Sequence, residues 1–210
     1  IFSTPFYFQE GRIHATIDYN VLDLDFGKLF RPTEAWQVRP VIGLRGAWID
    51  QSFDARFQGD WPSFFLSKTV VEQMKNGFWG IGPKVGIETG WNLRRSERGE
   101  INVVANFYTS YLLGQWNVSD MTTTTATTSI LPPPTTVTTT CDIPIAARDF
   151  GALSFQAVLG VNFKYGRWSG TVGYEINDWL NQCQIFDDAT GPHNNDLILH
   201  GLTANLSFSF

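Results

Sequence analysis

FWGIGPKVGIETGWNL, residues 78–93, alternates with a period of two. Trp79, Ile81, Pro83, Val85, Ile87, Thr89, Trp91 and Leu93 share one face, while Phe78, Gly80, Gly82, Lys84, Gly86, Glu88, Gly90 and Asn92 share the other. That is the period of an extended strand, whose successive side chains point to opposite sides. The first face is apolar and aromatic. The second is too rich in glycine to fill a soluble core, but it suits a water-filled lumen. Pro83 is the one blemish, since proline removes a ladder donor.

The scheme recurs along the chain. In 36–49, Trp36, Val38, Pro40, Ile42, Leu44 and Trp48 oppose Gln37, Arg39, Val41, Gly43, Arg45 and Ala47. Segments 101–115, 151–165, 168–179 and 201–210 alternate in the same way. In 12–27 the apolar set Ile13, Ala15, Ile17, Tyr19 and Val21 slips to Leu22, Leu24 and Phe26, which predicts a β-bulge at Val21–Leu22. With 78–93 this makes seven strands. Residues 1–8 read better as the tail of an upstream loop than as an eighth strand, because Pro5 and weak alternation spoil them.

The tryptophans act as a ruler. Trp36 and Trp48 lie twelve residues apart on one face, as do Trp79 and Trp91, and Trp168 and Trp179 bracket another strand at a similar interval. Twelve residues at a rise of ~3.3 Å, tilted by ~45°, span about 28 Å. That is close to the apolar band of ~25 Å between the aromatic girdles of an outer-membrane barrel. Trp36, Trp48, Trp79, Trp91, Trp168, Trp179, Phe208 and Phe210 are therefore the expected girdle. Connections alternate between short (28–35, 94–100, 165–168) and long (50–77, 116–150, 180–196), as barrels alternate periplasmic turns with external loops. The expected fold is all-β: an antiparallel transmembrane up-and-down β-barrel in one domain over residues 1–210, located in the outer membrane.

Composition agrees. Charged residues make up 17% and aromatic residues 15% of the 210, against roughly 25% charged in ordinary soluble domains. No stretch approaches the ~20 apolar residues of a spanning helix. A net charge of −5 argues against a nucleic-acid partner. The sequence opens without an initiator Met, a basic n-region or an apolar h-region, which reads as a removed signal peptide or missing upstream sequence.

Alternation places Arg39, Arg45, Lys84, Lys164, Glu88, Glu175, Asp18, Asp23 and Asp25 toward the lumen, where charges set the field of a pore or brace its wall. Gly43, Gly80, Gly82 and Gly86 are expected to leave room for water around them. The Thr/Pro-rich stretch within 117–149 reads as a disordered external loop. Cys141 and Cys183 fall in long loops on one side and permit one disulfide. His14, His193 and His200 sit in no catalytic motif, and neither they nor the cysteines show metal-ligand spacing. No catalytic residue, metal or cofactor is expected.

LDLDFGK (22–28), RPVIGLRGAWIDQ (39–51) and GFWGIGPKVGIETGWNL (77–93) resemble the Legionella-type major outer membrane proteins, which are grouped loosely with chlamydial porins. The resemblance covers the strands rather than the long loops. It implies a pore for passive diffusion of small hydrophilic solutes and ions, with no catalysis and no cofactor. Members of that family are longer at the N-terminus, so this chain resembles a C-terminal portion. Its terminal aromatic looks like the signal read by the outer-membrane assembly machinery. The expected partners are outer-membrane lipid, solutes and that machinery, with a homo-oligomer left open. The alternative is a surface adhesin or structural barrel without an open pore.

Overall fold

The computed structural model describes residues 7–96, 99–130, 133–144, 150–187 and 191–208. The strands are β1 (Glu10–Gly27), β2 (Trp36–Trp61), β3 (Leu66–Arg95), β4 (Gly99–Thr128), β5 (Thr135–Pro144), β6 (Gly151–Tyr165), β7 (Trp168–Asp187) and β8 (Gly191–Phe208). They form one curled antiparallel sheet in the order β1-β2-β3-β4-β6-β7-β8, with β5 branching off β4. All seven expected strands are present. β1 and β8 end the main path of the sheet, and β5 pairs with β4 alone among the described residues. Because β1 and β8 run in the same direction, direct closure would need a parallel seam. An odd number of strands between them would keep the barrel antiparallel, and a bilayer does not tolerate edges left open.

The tryptophan ruler holds across the β2–β3 ladder, where Trp36 pairs in register with Trp91 and Trp48 with Trp79. Between these two levels the convex face is apolar and solvent-accessible: Ile42, Leu44, Ile81, Val85, Ile87 and Leu159 are all exposed. A band of this kind is stable against lipid tails and not against water. The short-turn end stays tight, with Gly166 at φ 59° turning β6 into β7.

Above the Trp48–Trp79 level the structure departs from expectation. The segments read as long loops are continuations of the strands. β2 runs on to Trp61, a single 3₁₀ turn at Pro62–Phe64 follows, and β3 returns from Leu66 in unbroken register. The physical reason is an inversion of the amphipathic pattern. Between the two tryptophans of β2 the even positions are apolar and point outward. Above them Asp50, Ser52, Asp54, Arg56, Gln58 and Asp60 point outward, while Ile49, Phe53, Ala55 and Phe57 point inward. Outside a bilayer the solvent is water, so the apolar side must turn to the concavity.

The same inversion explains β1. No bulge exists at Val21–Leu22, because Glu10–Gly27 pairs with β2 without a slip. Tyr19 and Val21 face inward and pack on the interior, whereas Leu22, Leu24 and Phe26 face outward within the apolar band. Of residues 1–8, the first six lie outside the described residues. Phe8 precedes β1 and packs against Phe57 and Trp61, with ring centroids 5.8 and 6.0 Å apart.

The threonine-rich stretch also contradicts the disordered-loop expectation over its described part. Ser119–Thr128 of β4 pairs with Thr135–Pro144 of β5, and Leu66–Lys75 of β3 flanks its other side. Hydroxyls meet across the hairpin at Thr123–Thr140 (3.4 Å), Thr125–Thr138 (3.3 Å) and Thr127–Thr136 (3.0 Å). Threonine is β-branched and favours extended backbone, so low complexity here does not mean disorder. Replacing both Thr138 and Thr139 by proline is expected to strip β5 from β4. Limited proteolysis should then cut within 135–144 and leave the remaining strands protected.

Candidate pore lining

The concave face of the apolar band carries a connected set of charges. Arg45, on β2, donates to Asp23 of β1 through two nitrogens, Nε to Oδ1 at 2.7 Å and Nη2 to Oδ2 at 2.8 Å. Lys84, on β3, donates to Asp23 and Asp25 at 2.8 Å each. Register explains the meeting: Asp23 stands opposite Arg45, Asp25 opposite Gly43, and Gly43 opposite Lys84. Arg45 also reaches across the concavity to β6, donating to Ser154 Oγ and Gln156 Oε1. Both cations are almost wholly buried, Arg45 at 2% and Lys84 at 3% exposure. Burial of that depth is tolerable only because each charge is paired and hydrogen-bonded.

A second group lies lower. Arg39 donates to Glu88 at 3.1 and 2.9 Å, and the Tyr108 hydroxyl donates to the same carboxylate at 2.8 Å. The Lys84 ammonium sits 4.3 Å above the centroid of the Tyr108 ring, a cation–π contact that ties the two groups together. Glu175 is held by amides alone, accepting from Gln156 Nε2 and Asn177 Nδ2 at 2.7 Å each. Arg39, Glu88, Asn106, Val158, Thr171, Glu175, Thr203, Asn205 and Ser207 surround a space of about 420 Å³ open to the concavity.

Seven of the nine expected lining charges are therefore brought together. Two are not. Asp18 stands opposite Asp50 on the outward face, just above the tryptophan level, because β1 has no bulge to turn it inward. Lys164 has the inward parity but lies exposed at the short-turn end, opposite Glu100 and away from the network. The glycines do not hold open water: a side chain at Gly86 would collide with the Tyr108 ring, and one at Gly43 would meet Asp25 Oδ1 at 2.6 Å. They let neighbouring groups fold flat against the wall.

The girdle is found at Trp36, Trp48, Trp79, Trp91, Trp168 and Phe208, all outward and exposed, with Trp168 and Phe208 in ring contact at 4.8 Å. Trp179 is the exception. It is fully buried inside, because eleven residues from Trp168 is an odd step and lands on the opposite face. Phe210 lies outside the described residues. Cys141 and Cys183 both belong to the long-hairpin end but are free thiols on different hairpins. Burial pushes the Cys183 thiol up, which leaves less thiolate at neutral pH. Cys141 is exposed. In folded protein, Cys141 is expected to be alkylated quickly and Cys183 slowly, as mass spectrometry of a timed maleimide reaction would read out.

Tyr108, Ser110, Ser154 and Gln156 complete the network, and sequence reasoning did not single them out. Their parity was legible, but uncharged polar residues on an inward face give no sign of which ion they serve. Charge is also divided along the barrel axis. The described residues of the short-turn segments 28–35, 94–100 and 164–167 include six Lys or Arg against two Glu. The described residues of segments 10–18, 50–77, 116–150 and 178–196, at the other end, include eleven acidic residues against four basic ones. The long-hairpin end is therefore the acidic one and the short-turn end the basic one.

Residues 2–210 match the family model described as Legionella pneumophila major outer membrane protein precursor. No curated protein and no solved structure matches the chain.

Proposed function

This chain belongs to the Legionella pneumophila major outer membrane protein family and is a protein of the bacterial outer membrane, and from that premise we propose that it forms a passive water-filled channel for small hydrophilic solutes and ions. The observation that carries this reading is the two-sided wall. Between the tryptophan levels the convex face is apolar, and the concave face holds the paired charges Asp23, Asp25, Arg45 and Lys84 and, below them, Arg39, Glu88 and Glu175 around open space. Charged side chains at that depth are expensive unless they line an aqueous path or pair with one another. Here they do both.

The pairing determines the expected ion preference. Arg39, Arg45 and Lys84 each face a carboxylate, so none of these three cations stands alone. Glu175 is the carboxylate without a cationic partner there. Together with the acidic mouth, this supports a mild preference for cations. In planar bilayers under a salt gradient, Glu175→Gln in the full-length protein should move the reversal potential toward anions. Arg39→Gln, which frees Glu88, should move it toward cations. Unchanged potentials in both channels would remove these residues from the permeation path.

One observation favours a second reading, a structural or adhesive barrel without an open pore. An apolar layer crosses the concavity above the charges, built from Ala47, Ile49, Phe78, Leu112, Ala152, Trp179 and Leu197. Absence of conductance from a folded, heat-modifiable barrel would support that alternative.

A further inference from the structure

Beside the apolar layer, β7 departs from regular pairing. The β7–β8 ladder is regular up to Trp179–Leu197 and resumes only at Cys183–Asn195. Between them Asn181 adopts φ 55°, a left-handed conformation, and its N–H donates to Asp196 Oδ1 at 2.9 Å. This bulge turns Gln182 into the concavity, where it is fully buried. Its backbone carbonyl accepts from Gln51 Nε2 of β2 at 3.1 Å and from Asn76 Nδ2 of β3 at 2.6 Å. One turn of chain earlier, the Trp179 indole N–H donates to the Tyr19 hydroxyl of β1 at 3.2 Å, with the rings edge-on at 6.0 Å. Bonds from β7 to β1, β2 and β3 thus span the width of the sheet.

We propose that this layer is the constriction of the channel, and that the Trp179–Gln182 segment of β7 is the element that holds it shut; the proposal rests on the pore reading above. The chemistry favours a gate over simple packing for two reasons. An apolar constriction excludes ions by dewetting even where its radius would admit them. And the Gln182 side-chain amide is buried with neither its nitrogen nor its oxygen hydrogen-bonded. An unsatisfied buried amide disfavours the closed arrangement and gains partners when the segment swings into water. The two donors on its carbonyl and the indole bond to Tyr19 oppose that movement. The closed state is therefore held by a few identifiable contacts across the lumen, and bulges adjacent to such sites commonly re-aim a side chain.

The test is single-channel recording of the full-length protein in planar bilayers bathed in potassium chloride. Trp179→Ala should raise the conductance of each step several-fold, by removing the largest side chain of the layer. Gln51→Ala combined with Asn76→Ala should leave the step size near wild type and lengthen the open times, because it unpins the bulge without widening the layer. Trp179→Phe keeps a ring but loses the bond to Tyr19, so it should also lengthen open times, and it serves where the alanine variant does not fold. In a Cys141→Ser background, alkylation of Cys183 should quicken with the unpinning pair. Leu159→Ala, on the lipid side, is the control and should record as wild type. Wild-type steps indistinguishable in size and lifetime from those of every variant would overturn the gate and leave the pore standing. Folded protein that never conducts, wild type and variants alike, would overturn both. A silent wild type with a conducting Trp179→Ala would support both.

Discussion

Arg45→Met is expected to destabilise the folded protein by about 3–5 kcal/mol, the usual cost of breaking a buried ion pair by removing one partner. The guanidinium is nearly inaccessible, and it bonds Asp23 on β1 together with Ser154 and Gln156 on β6. Its loss leaves Asp23 with Lys84 alone and removes a tie between two non-adjacent strands. Asp23→Asn in the same chain should recover part of the loss, because the carboxylate left with only one of its two cations is then no longer charged. The measurement is a double-mutant cycle from urea unfolding in detergent or lipid vesicles. Additive effects of the two substitutions would show that the pair is not coupled, and the reading of the network would fail.

Leu159→Arg is expected to cost roughly 2–4 kcal/mol in a bilayer, as for a cation placed on the lipid face near midplane. Leu159 is 63% exposed on the convex side of β6. Its chain neighbour Val158 lines the concave space and stands opposite Glu175 in register. Val158→Arg should therefore cost little, since the new cation meets water and a carboxylate. Adjacent positions with opposite outcomes form a sharp test of the two faces. Equal costs for the two substitutions in vesicle-refolding titrations would mean that the apolar side does not face lipid.

Alternation within 36–49, 78–93 and 101–115 was enough to place strands, to separate Arg45 and Lys84 from Ile42 and Val85, and to set two levels of tryptophan. These are properties of neighbours two apart in one chain, so they are written locally. The threonine hairpin was not legible in that way. Thr122–Thr128 is uniform, with no alternation to announce a strand, and its pairing with β5 is a property of two segments together.

The interior was decided elsewhere. Val21–Leu22 and Trp168–Trp179 each contain a change of apolar face that the one-dimensional pattern could equally ascribe to a bulge or to a girdle. Only the register shows that both changes fall near the level where the surroundings pass from lipid to water, so the same face turns from outside to inside. The partners Asp23–Arg45 and Arg39–Glu88 follow from strand pairing. Arg45 to Ser154 and Gln156, Tyr19 to Trp179, and Gln51 and Asn76 to Gln182 depend on how tightly the sheet curls. Curl is a sum over every strand's twist and every cross-lumen contact. Alternation along one strand therefore sets which side a residue faces, and the curvature of the whole sheet sets what it meets there.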